Sequence, residues 1–163
     1  MNNQDFNLAD VIDVIEEIVS SGGEFSMYPR GRSMLPLIVQ SRDYVVIKRD
    51  FENTAKKHDI AFYRRDNGQF VLHRVMKCCD DGTFIMCGDN QTEFEKGIRP
   101  DNIIAVVTQL HRKGKKVNFD GPVYSTYVFL WTVMPLRRLC KFVYRVLHII
   151  CRSIKGIFTK SDS

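Results

Sequence analysis

No stretch of 18 or more apolar residues occurs in the 163-residue chain. A helix that spans a bilayer needs about 20, so a conventional membrane-spanning helix is excluded. The N-terminus has neither a basic n-region nor an apolar h-region, and no secretory signal peptide is expected. Cysteines number five, an odd count with one adjacent pair (Cys78 and Cys79) and no CxxC spacing. Neither a disulfide framework nor a zinc site fits these spacings. Free thiols, a reducing compartment and no metal or other cofactor are expected. There is no repeat and no low-complexity linker. Acids are nearly missing from the end: from Leu136 onward seven Lys or Arg stand against one acid, Asp162. Residues 1–135 then hold 17 basic and 18 acidic residues, so the net charge of +5 resides in the tail.

What remains is the composition of a folded chain, 44% hydrophobic and 26% charged, long enough for one domain with an appendage. Over 7–21, Leu8, Val11, Ile12, Ile15, Ile18 and Val19 recur at helical spacing with acids opposite, and Gly22-Gly23 stops the pattern. Strands are predicted over 24–28, 44–48, 60–64, 69–77, 83–87, 103–111 and 117–119. Asp66-Asn67-Gly68 and Asp80-Asp81-Gly82 supply turns. The fold class is mainly β, an antiparallel domain flanked by an N-terminal and a C-terminal helix. We divide the chain into an N-terminal helix (1–23), a β domain (24–121) and a tail (122–163).

The tail begins with twelve mostly apolar or aromatic residues, 123–134, interrupted by Pro135. This length suits a core or interfacial helix. Over 136–158, Arg138, Lys141, Arg145, His148, Arg152 and Lys155 recur three and four apart among Leu, Ile, Val and Phe. A basic amphipathic helix with a broad apolar face is the pattern of a helix lying in a membrane interface. A terminal helix docked on protein with a solvated basic stripe is the alternative.

Three short segments carry residues capable of chemistry. Ser33 stands between Gly31, which permits close backbone approach, and an apolar run in which Met34, Leu35 and Leu37 serve as anchors. Such a serine either hydrogen-bonds a turn or, given a base and an orienting acid, acts as a nucleophile. In Phe70-Val71-Leu72-His73-Arg74-Val75, strand alternation puts His73 on one face with Val71 and Val75. Desolvation there keeps an imidazole neutral and able to accept a proton, although a satisfied core histidine would show the same pattern. Asp89, in Gly88-Asp89-Asn90 at a strand end, either fixes the imidazole tautomer or makes an Asx turn. Glu93, Glu95 and Asp101 are nearby acids that could take its place.

Taken in order, Gly31-Arg32-Ser33-Met34-Leu35-Pro36, Asp43-Tyr44-Val45-Val46-Ile47, His58-Asp59-Ile60-Ala61-Phe62, Val71-Leu72-His73-Arg74-Val75 and Gly88-Asp89-Asn90 resemble the ordered boxes of the type I signal peptidase family. That family shares a clan with the LexA-like autoproteases. The resemblance covers about residues 24–107 and is of the Ser-His type, with His73 where many bacterial members have lysine. It implies a signal-peptidase/LexA-like β domain with Ser33 as nucleophile, His73 as general base and Asp89 as assisting acid. Glu95 lies where Ser-His relatives often carry a second aspartate. The Ser33 backbone N–H would be an oxyanion donor. The implied reaction is endoproteolysis of a precursor peptide or protein, cutting a signal or leader sequence after a small residue.

Departures are specific. Gly31 occupies the place of a hydroxyl residue that supplies a second oxyanion donor. Arg42 and His58 replace the glycines of two Gly-Asp turns, which suggests altered turns. No counterpart of the family's N-terminal membrane anchor is expected, so any anchoring would fall to the tail, and a peripheral or monotopic bacterial membrane protein is expected. No nucleic-acid partner is expected. A LexA-like self-cleaving regulator is one alternative, but the residues before Ser33 are too few for a helix-turn-helix, and Cys87-Gly88 is a poor self-cleavage site. A non-catalytic, membrane-docked adaptor of the same fold is the other.

Overall fold

The structure, a computed structural model, describes residues 8–52, 54–140, 142, 143 and 146. The chain divides into two compact units, 1–118 and 119–163.

In the first unit a helix, α1 (Leu8–Ser20), buries Ile12, Ile15 and Val19 and packs on two strands, β1 (Glu24–Met27) and β7 (Ile103–Arg112). It ends where the sequence predicts. Gly22 adopts φ +84°, its N–H bonds to Val19 O, and the Gly23 N–H bonds to Ile18 O, a Schellman closure that satisfies the last carbonyls.

The strands are β1 (Glu24–Met27), β2 (Tyr44–Lys48), β3 (Ile60–Arg64), β4 (Phe70–Cys78), β5 (Phe84–Cys87), β6 (Glu95–Ile98), β7 (Ile103–Arg112) and β8 (Lys115–Lys116). All pairings are antiparallel, in the order β1-β2-β7-β3-β4-β5-β6, with β8 on β7. The mainly β class therefore holds. β6 and the 3-10 turn Pro100–Asn102 were not predicted. The strand predicted over 117–119 is corrected to Lys115–Lys116. Lys113 and Gly114 both take positive φ (50° and 76°), making a two-residue hairpin loop that starts pairing at Arg112↔Lys115.

The core beneath β3–β7 is built from Ala55, Ala61, Tyr63, Val75, Phe84, Met86 and Ile103. In β4 only Arg74–Cys78 pair with β5, whereas Phe70–Arg74 pair with β3. Among the described residues, no strand covers the β5 side of Phe70–His73.

The second unit holds α2 (Pro122–Thr132), with proline in its first turn where its missing N–H costs nothing. Tyr124, Tyr127 and Trp131 stack successively along it. A further helical stretch covers 134–140. The basic helix expected over 136–158 lies, past residue 140 and apart from 142, 143 and 146, outside the described residues.

Candidate active site

Three chain segments meet at Gly88. A Cβ built there would lie 2.7 Å from the Ser33 carbonyl oxygen, 2.9 Å from Gln91 Oε1 and 3.1 Å from His73 Nε2. Distances below 3.0 Å are ones that real Cβ atoms essentially never show. Glycine is therefore required at a gap shared by the Ser33 backbone and the outer nitrogen of the imidazole. The Asn90 N–H donates to the same Ser33 carbonyl at 2.6 Å. The Gly-Asp-Asn turn thus grips the segment that carries the serine.

That segment is a turn closed by Leu35 N–H to Arg32 O and Ile38 N–H to Met34 O. Met34, Leu37 and Ile38 are buried as its anchors, while Ser33 is half-buried. Gly31 takes φ +94° and donates its N–H to Gln40 Oε1 at 2.8 Å. Beside Ser33 lies a pocket of about 120 Å³, lined by Gly31, Met34, Ile38, Val71 and Leu72 among others.

His73 is 1% exposed and pairs across the sheet with Ala61. Its inner nitrogen, Nδ1, lies 3.1 Å from Glu95 Oε1 and 3.2 Å from the Tyr63 hydroxyl. Burial pushes the imidazole down from its ordinary 6.5 to about 4, against the opposing pull of the Glu95 charge. Glu95 arrives through β6, where it pairs with Met86. Its carboxylate accepts from Tyr63 Oη at 2.9 Å and from Arg65 Nε at 2.8 Å, and Arg65 Nη2 bonds its other oxygen. Burial pulls the Glu95 carboxyl upward, but the hydrogen bonds from Arg65 and Tyr63 outweigh it and hold the carboxyl below its usual value. Burial and the Glu95 carboxylate both raise the Tyr63 phenol.

Asp89 stands differently from the expectation. It is completely buried, and its two oxygens accept from Arg74 Nε and Nη2 at 2.9 and 2.8 Å. The carboxylate at His73 Nδ1 is that of Glu95, the alternative acid. Arg74, next to His73, also donates to His58 O at 2.9 Å, which ties β4 to the turn before β3. The other acids named from sequence, Glu93 and Asp101, are exposed. Among the described residues no group of three or more His, Cys, Asp or Glu is arranged to hold a metal ion.

Tyr63, Arg65 and Arg74 did not stand out in the sequence. A signal for Tyr63 was present: the Asn67-Gly68 hairpin sets the register Tyr63↔Val71 and Ala61↔His73, and alternation then puts Tyr63 on the face of His73. Comparisons with protein-family models, curated proteins and solved structures returned no match.

Proposed function

We propose that the protein is a serine endopeptidase of the signal-peptidase type, with the corresponding signal-peptidase/LexA-like fold. The observation that carries this reading is the two-sided setting of His73. Nδ1 rests on an ion-paired carboxylate while Nε2 borders the gap shared with Ser33. A buried, neutral imidazole held in this way is a competent general base for a serine hydroxyl.

In this mechanism Ser33 Oγ attacks the scissile carbonyl as His73 Nε2 takes its proton. The imidazolium then returns that proton to the leaving amine, and an acyl-enzyme forms on Ser33. Water repeats the sequence to release the acid product. Glu95 orients the imidazole and stabilises its cation, whereas Asp89 acts through Arg74 to hold the turn that grips Ser33. The Ser33 N–H donates to the oxyanion. The 120 Å³ pocket beside Ser33 suits a small side chain next to the cut, as in a leader or signal sequence. Labelling by a serine-directed acylating probe tests the reading. Ser33→Ala and His73→Ala should each lower labelling on the order of 10³-fold or more; equal labelling of wild type and both variants would refute it.

We also propose that the second unit docks on anionic membrane surfaces. Val123, Phe129, Leu139 and Phe142 are exposed apolar side chains, in a unit whose charged residues are nearly all basic. No helix of the described residues is long and apolar enough to cross a membrane. Liposomes of anionic lipid should float the full chain but not a chain ending near Gly121; equal flotation would exclude docking through this unit.

A further inference from the structure

We infer that Tyr63 and Arg65 are positioning residues that dictate which nitrogen of His73 carries the proton. The count of protons around Nδ1 carries this inference. Arg65 contributes two donors to Glu95, one to each oxygen, so the carboxylate is paired as an anion and acts only as an acceptor. Tyr63 Oη lies 2.9 Å from Glu95 Oε2, and because an ionised carboxylate can only accept, the single hydroxyl proton serves that contact and leaves only oxygen lone pairs for a second neighbour. Nδ1 lies 3.1 Å from Glu95 Oε1 and 3.2 Å from Tyr63 Oη. It therefore faces two acceptors and must itself carry the hydrogen. A neutral ring has only one, so Nε2 is bare at the gap it shares with Ser33.

The parts of this clamp come from well-separated places in the chain. Tyr63 ends the apolar run of β3 and is fully buried; Arg65 follows two residues later, on the same side of the strand but at the rim. Glu95 comes from β6, two strands beyond β4. The buried hydroxyl sets direction, and the rim guanidinium keeps the carboxylate ionised. Losing Arg65 would leave a partly buried carboxylate without its main cation and would also remove a positive charge that disfavours protonation of His73.

Imidazole nitrogen shifts read by NMR on the full chain test the clamp without requiring catalysis. Wild type should show His73 protonated on Nδ1; protonation on Nε2 would overturn the inference. In Arg65→Gln the His73 titration should move to higher pH and the Nδ1-protonated form should lose population, while Arg65→Lys should restore most of the titration. Tyr63→Phe, which keeps the ring in the core, should shift the tautomer with a smaller change in titration. If Arg65→Gln and Tyr63→Phe leave tautomer and titration at their wild-type values, the inference fails. A second arm rests on the peptidase reading: the rate of labelling by a fluorophosphonate probe against pH. There Arg65→Gln should lose about 10- to 100-fold, part of the contribution typical of a general base, and its acid limb should move up with the NMR titration. Expected NMR shifts in a protein whose Ser33 never labels would uphold the clamp and reject the peptidase.

Discussion

Two arginine–carboxylate forks flank His73, and they differ in nearly everything except geometry. Arg74–Asp89 is completely buried on both sides, whereas Arg65–Glu95 keeps 29% and 24% of its side-chain surfaces exposed. The first joins the His73 and Asp89 segments, and the neighbouring Asn90 N–H reaches the Ser33 carbonyl. The second touches the imidazole through Glu95. A buried fork gains little over a well-packed apolar pair, yet breaking one side of it is expensive. A rim fork contributes little to stability but can hold a charge state at a reacting group. On the proposed reading, the inner pair would serve architecture and the outer pair chemistry.

The largest effect expected from this division is on folding. Asp89→Asn removes the carboxylate charge that pairs with both Nε and Nη2 of the buried Arg74 and should cost about 3–5 kcal/mol, measured by urea unfolding. A loss under 1 kcal/mol would erase the distinction between the two pairs. Next comes Glu95→Gln, which offers Nδ1 an amide that can donate and so permits the wrong tautomer. Turnover or probe labelling should fall about 10²- to 10⁴-fold, with stability changed by no more than about 1 kcal/mol. The smallest is a pH effect confined to the outer region. His73 is held near 4 against an ordinary 6.5, so between these values the unfolded chain binds a proton that the folded chain refuses. Stability is then greatest above about pH 6.5 and declines as pH falls toward 4, by up to roughly 3 kcal/mol. Unfolding curves at pH 7 and 4.5 should show this slope in wild type and its reduction in His73→Gln.

Sequence patterning located the regular parts of the sheet because their burial is written as continuous apolar runs. β2 and β3 occupy the spans predicted, with Val45, Val46 and Ile47, and Ile60 to Tyr63, buried. β6 escaped because Glu95-Lys96-Gly97-Ile98 has one apolar side chain and a glycine at φ +73°; its pairing with β5 is a tertiary fact. The candidate site was legible as to its serine and histidine segments, since the Ser33 carbonyl and His73 Nε2 both border Gly88. Which acid meets the imidazole was not, because Asp89 and Glu95 are separated by only a turn and their fates depend on which arginine each finds. At His58, where altered turn geometry was expected, the residue takes φ +78° in a glycine-like conformation. Its N–H bonds to Val75 O and its carbonyl accepts from Arg74. At the other turn, Ser41 rather than Arg42 takes positive φ, at 62°.

On the proposed peptidase reading, the half of β4 that no strand covers among the described residues would tie the fold to its substrate. An extended peptide laid along Phe70–His73, over the pocket beside Ser33, would continue the sheet from where β5 stops. Main-chain hydrogen bonds would supply its affinity and the pocket its selectivity. Occupancy would then act as folding free energy: a peptide at one hundred times its Kd would add about 2.7 kcal/mol. The melting temperature of the free protein would thus rise with any segment able to lie there as a strand, even one that is never cut.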